Sequence, residues 1–99
     1  MSYQVRFTPV ALADLERLFS FLAGQDLRAA ERARDAVGQA LKFLCDFPYA
    51  CRKASAESPF LREMLISFGN SGYVALFEIE PENVVTILAV RHQREDDYR

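Results

Sequence analysis

The sequence predicts an α+β domain in which a hairpin of two helices packs on one face of a largely antiparallel sheet, in the order β-α-α-β-β-β. Three observations lead to this prediction. The chain has 99 residues, which suits one domain with one core across residues 1–99. Apolar residues recur at helical spacing through most of its first half. After Pro59 the pattern changes to three strand-like runs separated by turn residues.

The first strand and the first helix are predicted from the opening residues. Side chains from Tyr3 to Phe7 alternate between polar and apolar, which is the period of a half-buried strand. Thr8-Pro9 is typical of a helix start, because a Thr oxygen can cap free N–H groups and Pro at the first helical position loses no hydrogen bond. The helix then runs from about Pro9 to Ala23, and we expect Gly24 to end it in the left-handed conformation.

The second helix is predicted to begin after Asp26, which can cap it, and to end at Phe47-Pro48. Its alanines would let the two helices pack closely. Residues from Pro48 to Pro59 have no periodicity, so we expect a loop there. The three predicted strands that follow, joined by short turns, are Phe60 to Phe68, Gly72 to Glu80 and Val84 to Arg91.

Composition and charge limit the classes of function. Hydrophobic residues make up 51% of the chain and charged ones 26%, which excludes the composition of a disordered protein. The net charge is −2, so any binding of nucleic acid must be local. Neither a membrane-spanning stretch nor a signal peptide is recognisable, and we expect a cytoplasmic protein with no membrane partner. A domain this small leaves apolar surface that a protein partner can cover.

The sequence predicts neither a metal nor a cofactor. Cys45, Cys51 and the lone His92 do not have the spacing of a metal site, and a reducing compartment would keep both cysteines as thiols. The HExxH, GxGxxG and Walker patterns are absent from the sequence. Enzymes that depend on a metal or a nucleotide are therefore disfavoured.

The candidate catalytic residues are mostly at the C-terminal end of the chain. They are Arg91, His92, Arg94 and Tyr98, with Arg99 beyond them and Arg62 on an earlier strand. Arginine binds phosphate, histidine titrates near neutral pH and tyrosine can donate or accept a proton, so such a set suits RNA cleavage by general acid–base chemistry. The alternatives are that the terminal charges are simply solvated and that Arg62 only covers apolar surface.

Four stretches together carry a family resemblance. They are Tyr3 to Ala11 followed by Asp14-Leu15, then Leu61-Arg62-Glu63, then Gly72 to Glu78, and finally Val84 to Tyr98. In this order and spacing they resemble toxins of the RelE/ParE superfamily, and in particular its ParE-like plasmid-stabilisation members. The resemblance covers nearly the whole chain and implies the β-α-α-β-β-β fold that the residue patterns predict.

The resemblance implies the toxin of a type II toxin–antitoxin pair, held by an antitoxin from the adjacent gene. ParE-like members inhibit DNA gyrase without established catalytic residues, whereas RelE-like members cut messenger RNA on the ribosome with basic residues and often a tyrosine. By position, such a site would comprise Arg62, Arg91, His92, Arg94 and Tyr98. The net negative charge, with acids at 95–97, favours gyrase inhibition. Ribosome-dependent cleavage and a non-toxic interaction domain that keeps the fold are the alternatives.

Overall fold

In the computed structural model, which describes residues 2–98, two helices pack on one face of a five-stranded sheet. The elements are β1 (Gln4–Phe7), α1 (Pro9–Gln25), α2 (Leu27–Asp46), a 3₁₀ turn (Pro48–Ala50), β2 (Arg52–Lys53), β3 (Leu61–Phe68), β4 (Ser71–Glu80) and β5 (Val84–His92). The strand order is β1-β5-β4-β3-β2. The predicted α+β class and its order of helices and main strands are confirmed.

The sheet is antiparallel except at one edge. β3, β4 and β5 form the predicted meander, while β1 lies parallel to β5 with Gln4 opposite Val84. The two residues of β2 pair with β3 inside the stretch that was predicted to be a loop. That part of the loop prediction was wrong, because a strand of two residues has no readable period and depends only on its neighbour.

The helix ends follow the predicted capping chemistry at two positions and depart from it at a third. The Thr8 hydroxyl accepts a hydrogen bond from Ala11 N (3.1 Å), and the Asp26 carboxylate caps the start of α2. Gly24 does not end α1, so that prediction was wrong. Asp26, in an extended conformation, donates its own N–H to Leu22 O (2.8 Å) and so ends α1 as well as starting α2.

The main core lies between the helices and the sheet. Phe77 and Leu44 are 0% exposed at its centre, and Ala11 and Ala33, also 0% exposed, lie where the helices come close to the rest of the core. Asp14 is buried as well, and its Oδ2 accepts a hydrogen bond from Val90 N (2.9 Å). This bond fixes α1 to the strand that leads into the candidate site.

Candidate functional site

The five candidate residues do not meet at one place. Tyr73 faces the helices, and its strand partner His92 lies on the same side, with 6.3 Å between the ring centroids. Arg91, one residue earlier, therefore faces the opposite side of the sheet. Arg62 is the second residue of β3, whereas Tyr73 pairs with Ile66 near the other end of that strand. Arg99 lies outside the described residues.

Tyr98 and Arg91 belong to a cluster on the sheet face away from the helices, which we call the outer face. The Tyr98 hydroxyl donates a hydrogen bond to Glu63 Oε2 (2.6 Å), and Arg52 Nη2 lies 3.3 Å from Glu63 Oε1. The Arg91 guanidinium carbon lies 5.2 Å from the centroid of the Tyr98 ring. Burial and the Glu63 carboxylate raise the pKa of Tyr98 well above its usual range, so the phenol stays protonated at neutral pH.

Arg91 also fixes the segment that follows β5. Its Nη1 donates hydrogen bonds to the carbonyl oxygens of Glu95 (2.7 Å), His92 (3.3 Å) and Gln93 (3.4 Å). The Glu95 carboxylate in turn accepts from His92 N (2.9 Å) and lies 3.6 Å from Arg17 Nη1 of α1. The backbone of this segment and the Glu95 side chain are therefore held on the domain, while Arg94, Asp96 and Asp97 are exposed.

His92 has a hydrogen-bond partner at each ring nitrogen. Arg94 N donates to Nδ1 (3.0 Å), and Nε2 lies 2.7 Å from the Ser71 hydroxyl oxygen. A main-chain N–H can only donate, so Nδ1 must be the acceptor. The neutral ring therefore carries its proton on Nε2, and this N–H donates a hydrogen bond to the Ser71 hydroxyl oxygen. His92 and Arg94 both line a groove of about 620 Å³ beside α1.

Arg62 donates hydrogen bonds to carbonyl groups in the 3₁₀ turn and in the stretch that connects this turn to β3. Its Nε donates to Pro59 O (2.7 Å), and its Nη1 donates to Cys51 O (2.8 Å) and Tyr49 O (3.2 Å). The guanidinium carbon also lies 5.4 Å from the centroid of the Tyr49 ring. With these bonds Arg62 closes an irregular segment whose carbonyl groups would otherwise have no partner in the sheet.

Within residues 2–98, no group of three or more His, Cys, Asp or Glu side chains is placed to hold a metal ion. Cys45 and Cys51 are free thiols, and burial raises the pKa of the Cys51 thiol, with the nearby Arg62 charge acting against it. In the same part of the chain, neither helix combines the length and the apolar character that crossing a membrane requires.

A family model described as the ParE toxin of the type II toxin–antitoxin system parDE matches residues 5–97. The chain belongs to the ParE toxin family. Toxin RelE3 of Caulobacter vibrioides is 33% identical over 91 residues, which cover 92% of this chain and 95% of that protein. The predicted membership of the RelE/ParE superfamily is confirmed, and with it the expected class of type II toxin.

Two solved structures are similar to this ParE-family chain. The chromosomal ParDE system from P. aeruginosa has a TM-score of 0.68 at 17% identity, and the match covers 92% of this chain and 96% of that one. The RelBE2 toxin–antitoxin complex from Mycobacterium tuberculosis has a TM-score of 0.57 at 22% identity, with 96% and 95% covered. At these identities the two structures establish the shared fold.

Sequence reasoning missed the residues that complete both parts of the site. Glu63 and Arg52 take part in the outer-face cluster, and Arg17, Ser71 and Tyr73 line the groove. A signal was available for Glu63, because strand alternation places it on the face opposite Arg62. For Arg17 and Ser71 there was none, since their position depends on how α1 packs against the sheet.

Proposed function

We propose that this ParE-family toxin arrests growth by acting on a protein target, DNA gyrase, and that it does not cut messenger RNA. We further propose that it acts in the cytoplasm and that an antitoxin from the adjacent gene silences it. The observation that carries the choice of target is the hydrogen bond of 2.6 Å from the Tyr98 hydroxyl to Glu63.

This bond is unfavourable for RNA cleavage. A general base needs a free acceptor and a pKa near the working pH, whereas the Tyr98 hydroxyl donates a hydrogen bond to the Glu63 carboxylate, which raises the pKa of the phenol. Arg91, whose guanidinium carbon lies 5.2 Å from the centroid of the phenol ring, already donates to carbonyl groups of the chain. The Glu63 carboxylate also pairs with Arg52, so this cation too is engaged within the chain and not free for an RNA phosphate.

The antitoxin partner has its own support. Membership of a family that is defined by toxin–antitoxin systems implies a paired protein, and both similar solved structures come from such systems. Several large apolar side chains are exposed in the isolated chain, among them Phe21 at 68% and Leu27 at 65%. A partner that covers such side chains would stabilise the toxin through apolar burial.

Ribosome-dependent cleavage of messenger RNA is the second candidate, and one observation favours it. His92 is adjacent to Arg94, whose guanidinium has no hydrogen bond or ion pair to the rest of the described chain. A histidine beside an available cation is a plausible pair for proton transfer and phosphate binding. The third candidate, a non-toxic interaction domain, would bind the antitoxin without arresting growth.

Induction of the chain alone, and together with the adjacent gene, tests these candidates. We expect growth arrest with DNA breaks and intact messenger RNA, and rescue by the neighbour. Tyr98→Phe and His92→Ala should keep the arrest, as should Arg28→Ala, a control at an exposed arginine on α2. Cuts at defined codon positions that disappear in His92→Ala or Tyr98→Phe would contradict the gyrase proposal. Normal growth on induction would favour the interaction domain.

A further inference from the structure

The groove beside α1 has an apolar wall and a polar end. It lies where the C-terminal half of α1 meets the turn between β3 and β4 and the segment after β5. The apolar wall is formed by Leu18, Phe21, Leu22 and Phe68, and the polar end includes Arg17, Ser71, Tyr73, His92 and Arg94. Phe21 is 68% exposed, so the apolar wall is open to a partner.

Two polar atoms of groove residues have no hydrogen-bond partner. Among the described residues, the buried side-chain nitrogen and oxygen atoms without a partner are Arg17 Nη2 and Tyr73 Oη. Tyr73 is only 1% exposed, so its hydroxyl is shielded from bulk solvent. Buried polar groups are almost always paired, and two exceptions in one groove indicate that a bound group completes it.

The other polar groups of the groove also leave donors available. The Ser71 hydroxyl oxygen accepts a hydrogen bond from His92 Nε2, so the Ser71 O–H is available to donate a hydrogen bond elsewhere. The Arg94 guanidinium makes no hydrogen bond or ion pair to residues 2–98. The His92 acceptor, Nδ1, is already occupied by Arg94 N. A ligand that suits this groove must therefore bring acceptor atoms, as a carboxylate does.

Arg17 can take part without breaking a hydrogen bond. Its guanidinium lies 3.9 Å from Asp14 Oδ1 and 3.6 Å from Glu95 Oε1, both beyond hydrogen-bond distance. Ion pairs with the two carboxylates hold this side chain, and a new acceptor nearby can add the hydrogen bond that Nη2 lacks. Those same carboxylates disfavour a ligand with many negative charges, such as an RNA strand.

We propose that this groove binds an acidic, apolar segment of the antitoxin, with one carboxylate at the polar end and a large apolar side chain against Phe21 and Phe68. A segment of this kind provides both the missing acceptor and the apolar cover that the groove lacks. The choice of occupant rests on the antitoxin partner proposed above. It does not depend on whether the toxin acts on gyrase.

The affinity of the purified antitoxin for toxin variants tests the groove. Arg94→Glu and Phe21→Ser should each weaken binding by about tenfold or more, because each removes a contact at one end of the ligand. The matched controls, Arg28→Glu on α2 and Leu65→Ser on the outer face, change residues that are also exposed but lie away from the groove, and they should stay within about twofold. Circular dichroism and melting temperature establish that each variant is folded.

Tyr73→Phe separates a binding role from a packing role. This change removes the unpaired hydroxyl and keeps the ring, so the melting temperature of the free toxin should stay the same or rise. Affinity for the antitoxin should nevertheless fall, because the groove loses the Tyr73 hydroxyl that would donate a hydrogen bond to the antitoxin carboxylate. Unchanged affinity would contradict the proposal. A second test replaces each acidic residue of the antitoxin with Lys in turn. One of these antitoxin variants should restore binding to the Arg94→Glu toxin, because the two opposite charges are then exchanged.

The outcomes are distinguishable from a failure of the proposed function. If the parent toxin binds the antitoxin and the groove variants bind equally well, the groove assignment is wrong and the toxin–antitoxin pair stands. If the variants keep the antitoxin but no longer arrest growth, the groove contacts the cellular target and the proposed occupant is wrong. If the parent does not bind the antitoxin at all, the partner and the groove assignment are both refuted.

Discussion

The two faces of the sheet are covered by different means. The inner face carries a tight apolar cluster beneath α1 and α2, in which Tyr73 is 1% exposed and its hydroxyl has no partner. On the outer face, Tyr98 of the terminal segment lies against the sheet through a hydrogen bond to Glu63 and a contact with Arg91. Packing therefore stabilises the inner face, while the outer face depends on groups that respond to pH.

The largest effect is expected from a cavity on the inner face. Phe77→Ala should lower the free energy of unfolding by about 3–5 kcal/mol, because Phe77 is 0% exposed and its neighbours cannot fill the space. Leu65→Ala on the outer face, where Leu65 is 53% exposed, should cost less than about 1 kcal/mol. Urea unfolding measures both. Equal losses would mean that the two faces do not differ as described.

A smaller effect is expected at the polar contact within the inner face. Asp14→Ala should cost about 1–3 kcal/mol, because it leaves the buried Val90 N–H without its acceptor. Asp14→Asn is the matched control, since the Asn carbonyl oxygen can still accept that bond. If both variants lose the same stability in urea, the carboxylate matters for its charge rather than for this bond.

On the outer face, Tyr98→Phe should cost about 1 kcal/mol at neutral pH through the lost hydrogen bond to Glu63. The pKa of Tyr98 is raised in the folded state, so the unfolded chain loses this proton first as pH increases. Stability should therefore fall above about pH 10, and Tyr98→Phe should reduce that fall. Parallel alkaline curves for parent and variant would contradict the outer-face description.

The smallest effect concerns Glu80 at the end of β4. Hydrogen bonds from Thr86 and Arg6, with the Arg6 charge, hold the pKa of Glu80 below its usual range. A carboxylate with a lowered folded pKa contributes stability above its unfolded pKa, and the contribution is lost as pH falls through the folded value. Glu80→Gln should flatten the acid limb slightly, and Thr86→Val should raise the pKa of Glu80 in an NMR titration.

Local patterns predicted the main elements of this fold because the residues that form them are close in sequence. The Thr8-Pro9 start of α1 and the strand predicted from Phe60 to Phe68 are of this kind, and both are confirmed. The parallel pairing of β1 with β5 and the two-residue β2 depend on distant partners and have no local signal. The predicted end of α1 was wrong because it was assigned from Gly24 alone. In the structure the Asp26 N–H continues the helical hydrogen bonding by donating to Leu22 O.

The candidate site was predictable in composition and unpredictable in arrangement. Arg91 and His92 are adjacent in a strand, so alternation alone already requires them to point to opposite faces. That Arg91 would then contact Tyr98 on one side and His92 would contact Ser71 on the other depends on how the strands and the terminal segment pair. Arg62 was predicted on an earlier strand than the other candidates, and its three carbonyl partners depend on the conformation of an irregular segment.

The pairing of β1 with β5 also bears on how the protein is made. During synthesis β1 emerges from the ribosome early and β5 emerges near the end. β1 therefore cannot pair with β5 until almost the whole chain has been translated. Contacts across some 80 residues close late and slowly. A messenger that is cut short before codon 84 would yield a chain in which neither β1 nor β4 finds β5. Completion of the sheet is thereby tied to completed translation.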